Sequence, residues 1–289
     1  MTDETKEFKS FFKTVGGHKG EKCYYTTRLD TYGCGCPHDC SYCYAKSLLE
    51  FRGLWDPQNP RVADINKIYK TIDKYLKEGD IVRLGGMTDC FQAKELKHRI
   101  TYKTIERLNE KKIGYLIVTK SDIVARDEYI KLMDKDLAHI QVTITCTDDE
   151  FSKSYEKATP PSKRIKAIEK LQENGFDTFV RLSPVVTEFI DNKKLDLNII
   201  NNIKCDKAIV EFLRINSWIK KWFDIDFSQY TVSENNYLHL PLKVKQEYLN
   251  KITGFKEISL CEVVTEDYEY WKNNVNVNPN DCCNLKINK

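Results

Sequence analysis

Between residues 24 and 213, six short strand-like runs alternate with amphipathic stretches, and no other feature of the chain narrows its possible architectures as far. The runs are Tyr24–Tyr32, Ile81–Leu84, Tyr115–Val118, Ile140–Thr145, Thr178–Leu182 and Ala208–Leu213. After the first, Val62, Ile65, Ile68, Tyr69, Ile72, Tyr75 and Leu76 recur at the spacing of one helix face, with Gly79 placed to end the helix. Further helices are expected through Ile100, Ile105 and Leu108, near Ile123–Met133, and from Ser162 through Ile165, Ile168 and Leu171 to Gly175. Strands joined by helical crossovers run parallel, and short apolar strands are those covered on both faces.

Right-handed crossovers curl such a sheet, so the chain reads as α/β, a partial (β/α)6-type TIM barrel, with an open doubly wound sheet as the alternative. The barrel is preferred because polar and reactive residues gather at the C-terminal strand ends, where barrel sites are built. Residues 1–22 are charged, with Gly16, Gly17, Gly20 and an aromatic cluster of Phe8, Phe11 and Phe12, and are expected as a mobile arm or peripheral helix. The barrel core is expected over 23–215. Past Ile215 the alternation fades, and Trp218, Trp222, Phe223, Tyr230, Tyr237 and Leu240-Pro241-Leu242 mark an aromatic C-terminal extension over 216–289 that caps the barrel.

A 41% hydrophobic content excludes wholesale disorder, and 46 basic against 43 acidic residues, a net +3, identifies no partner. No stretch approaches the roughly 18 apolar residues that span a bilayer, and mean hydropathy is −0.55. The N-terminal residues lack the apolar run of a secretory signal, so the expected compartment is cytoplasmic, without membrane contact. In a reducing compartment eleven cysteines, an odd number, point to metal binding or thiol chemistry rather than disulfides.

Four of those thiols stand within Gly33-Cys34-Gly35-Cys36-Pro37-His38-Asp39-Cys40-Ser41-Tyr42-Cys43, directly after the first strand. Cys36, Cys40 and Cys43 have the spacing C-x3-C-x2-C, and a loop this tight wraps three thiolates around one corner of a small cluster. Three protein ligands leave one iron open to a small chelating ligand. Cys34 as a fourth ligand, or a zinc knuckle completed by distant residues, are the alternatives. His38 is expected to be hydrogen-bonded or solvent-facing rather than a ligand.

Cys36-x3-Cys40-x-Tyr42-Cys43 after the first strand of a βα series resembles the motif of the radical S-adenosylmethionine (SAM) superfamily. The resemblance implies a [4Fe–4S] cluster on Cys36, Cys40 and Cys43, with the SAM methionine moiety on the fourth iron. It implies reductive cleavage of SAM to a 5′-deoxyadenosyl radical that takes a hydrogen atom from substrate, and an electron donor such as flavodoxin or ferredoxin. Leu84-Gly85-Gly86-Met87 closes the second strand where that superfamily has a glycine turn near the methionine amino group, although Met87 stands where Glu is frequent.

Gly86-Met87-Thr88-Asp89-Cys90-Phe91-Gln92, Val118-Thr119-Lys120-Ser121 and Gln141-Val142-Thr143-Ile144-Thr145 together resemble the spore photoproduct lyase group over roughly 24–213. That likeness implies SAM-holding roles for Lys120 and Thr143; Tyr42, Gly85 and Gly86 share that role through the superfamily motif and its glycine turn, and Arg181 is a further candidate cofactor contact by its place at a strand end. It makes a nucleic acid or nucleobase derivative the leading substrate class. Met87 occupies the position of the lyase's hydrogen-donating cysteine, with Cys90 three residues on, which weakens photoproduct repair as the activity.

Cys90 and Cys146 are the candidate catalytic thiols, since an S–H bond donates hydrogen atoms readily. Arg181, Ser183, Glu211 and Arg214 flank strand ends as an internal ion-pair group or as substrate contacts. Cys261, Cys282 and Cys283 are expected in a packed, turn-forming tail. Trp218, Lys220, Lys221 and Trp222 suit base stacking and phosphate contact, or an amphipathic packing element. A peptide or small-metabolite substrate, and a non-catalytic Fe–S or zinc nucleic-acid-binding module, are the competing functions.

Overall fold

The computed structural model describes residues 8–13, 23, 25 and 27–285. One sheet of eight strands runs in sequence order: β1 (Phe11–Phe12), β2 (Thr27–Leu29), β3 (Ile81–Leu84), β4 (Gly114–Thr119), β5 (Ala138–Ile144), β6 (Asp177–Val185), β7 (Lys207–Phe212) and β8 (Glu257–Leu260). Every neighbouring pair from β2 to β8 is parallel, and only β1 joins antiparallel. Strictly sequential order with a helical crossover at each step from β2 to β8 is a partial barrel rather than a doubly wound sheet, whose order reverses at a switch point. β1 and β8 are its two edges.

All six expected strands are present. The first is shorter than its aromatic run: β2 is followed by Tyr32–Gly33, which pairs with Arg61–Val62 in a separate two-stranded ribbon. Tyr24 lies outside the described residues, as do most of residues 1–22. Phe11–Phe12 is an edge strand on β2, not part of a helix, with the Arg28 guanidinium 4.0 Å from the Phe12 ring. β8 is a seventh parallel strand inside the aromatic extension, unexpected because Glu-Ile-Ser-Leu carries only two apolar residues.

The helices follow the periodicity. Ile65–Tyr75 starts at Asp64, whose carboxylate accepts from Asn66 N–H at 2.9 Å, and buries Ile68 and Ile72. Pro161–Glu173 opens on a proline, which forfeits no hydrogen bond in the first turn, and ends before Gly175 at φ +79°. The stretch expected as one helix near 123–133 is a 3-10 turn, Asp122–Ala125, then Asp127–Leu132, because Arg126 is extended at φ −70°, ψ 147°.

β5 is buried along its whole length, and β4 at all but Val118. Each buried Ile, Leu or Val side chain adds about 1.5–3 kcal/mol. Alternation sends residues 139, 141 and 143 of β5, 177, 179, 181 and 183 of β6, and 207, 209 and 211 of β7 to one side, the lumen. Its N-terminal end is closed by a charge network: the Asp177 carboxylate meets His139 Nδ1 at 2.7 Å and accepts from Lys207 Nζ at 2.6 Å. At the other end β6 and β7 slip register between Leu182 and Val185, around Pro184, which has no N–H for the ladder.

Candidate active site

The cysteine loop turns sharply at residues that depend on small side chains. A Cβ on Gly35 would lie 1.9 Å from the Asp56 carbonyl oxygen, and Asp56 N–H donates to the Cys34 carbonyl at 2.8 Å. Two further turns, Asp39 N–H to Cys36 O and Cys43 N–H to Cys40 O, bring Cys36, Cys40 and Cys43 onto one cavity at the C-terminal ends of the strands. Cys43 also caps the helix Tyr44–Phe51, its sulfur accepting from Lys46 N–H at 3.4 Å. Cys34, at φ +57°, is not among the lining residues.

Burial pushes the Cys36 thiol up to about 12 and Cys40 well above the ordinary thiol value. A bound cation reverses that preference, because it stabilises the thiolate directly. Three thiols from one short loop converge on a single cavity, as the ligands of a cluster do. The donor set therefore fits an iron–sulfur cluster.

Tyr42 packs its hydroxyl against Glu156, donating to that carboxylate, which also accepts from the fully buried Arg164 and from Thr145 Oγ1 at 3.3 Å. Arg164 in turn donates to the Thr143 carbonyl at 2.8 Å. Burial opposes ionisation of Glu156, but the guanidinium of Arg164, the Lys120 ammonium and the Tyr42 hydrogen bond outweigh it and hold the carboxyl below its ordinary value. The Cys40 sulfur is 3.9 Å from the same carboxylate.

Across the cavity, Gly85 sits at φ +74°, and a Cβ there would meet the Thr88 carbonyl at 2.9 Å. Gly86 touches the Arg28 side chain, and its carbonyl accepts from the Tyr44 hydroxyl. Asp89 fastens this turn to β4: its carboxylate accepts from Thr119 Oγ1 at 2.8 Å, Lys120 N–H at 2.7 Å and Phe91 N–H at 2.8 Å. His38 is buried with Nδ1 3.5 Å from the same carboxylate. The Lys120 ammonium lies 5.3 Å from the Tyr42 ring centroid.

Tyr42, Gly85, Gly86, Lys120, Thr143 and Arg181 all line the cavity with the three cysteines. Arg181 donates to Gln141 Oε1 at 2.8 Å and to Glu211 at 2.5 Å, and Ser183 donates to Glu211 at 2.8 Å. Burial resists ionisation of Glu211, yet Arg181 and Arg214 hold its carboxyl below the usual value. The cavity encloses about 970 Å³ including its open mouth. Ile219 also lines the cavity, and its sequence neighbours Trp218 and Trp222 have rings 5.4 Å apart.

The two candidate catalytic thiols, Cys90 and Cys146, stand apart from the cavity-lining residues. Cys90 is fully buried in the apolar core, and Cys146 donates to the Asp148 carbonyl at 3.4 Å. Neither lines the cavity, because the turn after β3 and the start of the β5 loop fold their sulfurs into packing. Glu156, Arg164, Arg83 and Tyr44 were not singled out by the sequence, and Asp89 was quoted in a motif without a role. Arg164 and Glu156 carry no spacing signal, and only the fold brings them beside Tyr42.

A family model described as the Radical SAM superfamily matches residues 31–192. An uncharacterised protein of Methanocaldococcus jannaschii is 29% identical over 167 residues, covering 54% of this chain and 60% of that protein. An uncharacterised protein of Acidianus two-tailed virus is 24% identical over 165 residues, 53% of this chain and 54% of that protein. The chain thus spans less than two thirds of the length of these curated relatives. Among solved structures, spore photoproduct lyase complexed with dinucleoside spore photoproduct aligns at a TM-score of 0.61 and 14% identity, covering 84% of this chain and 74% of that one. A mutant of the lyase with bound AdoMet and the same dinucleoside aligns at 0.60 and 14%, covering 79% and 72%. At that identity the likeness is one of fold.

Proposed function

The chain belongs to the radical SAM superfamily, and from that premise we propose that it is an enzyme whose Cys36, Cys40 and Cys43 hold a [4Fe–4S] cluster beside a SAM site. Family membership implies both groups. When bound and reduced, they supply a carbon-centred radical that takes a hydrogen atom from substrate. The observation that carries this reading is the convergence of three loop thiols, the Gly85-Gly86 turn and Lys120 on one cavity.

In this reading Tyr42 fixes the loop by its bond to Glu156, and Lys120 offers its ammonium to the methionine carboxylate. Gly85 and Gly86 present backbone carbonyls to the amino group, and Thr143 and Arg181 contact the rest of the nucleoside. Asp89 holds Lys120 in register through its backbone N–H. An electron donor such as flavodoxin or ferredoxin completes the system.

The substrate we favour is a nucleic acid or nucleobase derivative. Supporting it are cationic Arg83, Arg181 and Arg214 around the cavity, and the Trp218–Trp222 pair with Lys220 and Lys221 on the segment whose Ile219 lines it. The lyase neighbours carry a dinucleoside, which concerns those proteins.

The test is anaerobic reconstitution, reduction with SAM, and quantification of 5′-deoxyadenosine. The product is expected from the intact chain and absent from Cys40→Ala; its absence from a cluster-loaded, reduced sample would reject the chemistry. Nucleic-acid binding that weakens steeply with salt supports the substrate class, since phosphate contacts release counterions; salt-independent binding or none removes it.

A further inference from the structure

A second group of thiols lies outside the cavity. Along the lumen-facing series, Ile81 precedes Arg83, Leu116 precedes Val118, Phe179 precedes Arg181 and Ile209 precedes Glu211. The later member of each pair lines the cavity. The earlier members pack with Tyr25, Cys282, Cys283 and Leu285 in an apolar layer one step nearer the N-terminal strand ends, with Cys23 and Cys261 against its margin.

These four cysteines come from opposite edges of the sheet. Cys23 leads into β2 near one edge, Cys261 directly follows β8 at the other, and Cys282-Cys283 arrive on the tail. A tight turn aims the adjacent pair together: the Asp281 carboxylate accepts from Cys283 N–H at 3.0 Å and Leu285 N–H at 2.9 Å, while Asn284 takes φ +46°. Neighbouring cysteines are poor partners for one ion in an extended chain, and this turn removes the objection.

The sulfurs of Cys23, Cys282 and Cys283 all lie within 4.8 Å of one another, with Cys23 and Cys282 at 3.9 Å. Cys261 packs against the same apolar layer but is not a member of that group of three. All four are unbridged. A tetrahedral ion with metal–sulfur bonds of about 2.3 Å has sulfur–sulfur edges of about 3.8 Å.

We propose that Cys23, Cys282 and Cys283 hold a single zinc ion as thiolates, with Cys261 drawn in from the margin of the same layer as the fourth ligand when the ion binds, and that the ion ties the two edges of the open barrel together beneath the cavity. Four thiolates around a divalent ion leave a net negative charge, which Arg83 and Arg181 face from the cavity side. An ion held this way is structural, with all four positions filled by protein. The site is independent of the proposed radical chemistry.

The test uses the full chain with Cys36, Cys40 and Cys43 all changed to Ala, purified without oxygen, so that the cavity contributes no metal. One zinc per chain is expected, falling at least tenfold in Cys23→Ser and in Cys282→Ser made on that background, and unchanged in Cys205→Ser. Cobalt added to the metal-free protein should give the intense visible bands of tetrahedral sulfur ligation. On the unaltered chain, zinc X-ray absorption should show four sulfur neighbours at about 2.3 Å, which covers the case of a variant that does not fold. A folded chain without zinc or cobalt bands, a Cys23–Cys282 disulfide in peptide mass spectra, or a zinc shell of nitrogen and oxygen would overturn the site. Loss of 5′-deoxyadenosine alone would bear on the proposed chemistry and leave the zinc count standing.

Discussion

The Tyr42 hydroxyl donates a hydrogen bond to Glu156, so the aromatic residue inside the cysteine motif is anchored to a carboxylate 114 residues further along the chain. Glu156 is itself held by Arg164, on the helix that follows β5, and both side chains are nearly fully buried. The loop that presents the thiols is thereby braced against the barrel wall.

Removing one member of that pair leaves an uncompensated buried charge. Arg164→Ala should destabilise the protein by about 3–5 kcal/mol, read as a lower urea midpoint. Tyr42→Phe, which takes only the hydroxyl, should cost about 1 kcal/mol and lower iron retained after reconstitution. Equal losses in the two variants would contradict a braced loop.

Stability should depend on pH through the same carboxylate. Its pKa is lower in the folded protein than the ordinary 4.5, so its contribution is fully present above 4.5 and is lost as pH falls through the folded value. Glu156→Gln should flatten the decline of unfolding free energy on the acid side. An unchanged slope would show that Glu156 does not carry it; Asp177 and Glu211, also held low, supply the remainder.

Gly85→Ala should be the more damaging substitution in the glycine turn. Its positive φ costs an L residue about 1–2 kcal/mol, and its new methyl would press on the rigid Thr88 carbonyl. At Gly86 the obstacle is the movable Arg28 side chain. SAM affinity by calorimetry should fall further for Gly85→Ala than for Gly86→Ala, and the reverse order would place the critical contact at residue 86.

Cys90→Ser should weaken folding by about 1–3 kcal/mol, because it buries a hydroxyl among apolar groups, while 5′-deoxyadenosine per loaded cluster stays level. Cys146→Ser should likewise spare that yield. A collapse of product in either folded, cluster-loaded variant would bring its thiol back into the chemistry.

The barrel was legible because its strands are runs of buried aliphatic residues and its helices keep one apolar face. β8 escaped because two apolar residues make no pattern, and Phe11–Phe12 because a two-residue edge strand is defined by its partner Leu29–Arg28 rather than by its own sequence. At the site, Cys36, Cys40, Cys43 and the glycine turn are local motifs and could be read directly. Glu156 and Arg164 could not, since a buried ion pair looks in sequence like two surface charges. Cys23 and Cys282 illustrate the same limit: 259 residues separate sulfurs 3.9 Å apart.

The sealed lower lumen has a further consequence. With His139, Asp177 and Lys207 closing one end and the Tyr25, Phe179 and Leu285 layer above them, the cavity is a cul-de-sac. Exchange with solvent is confined to the side of the cavity away from that layer. In the proposed chemistry, nucleoside and product would then share one way out, and the order of their departure would set how soon the site is free again.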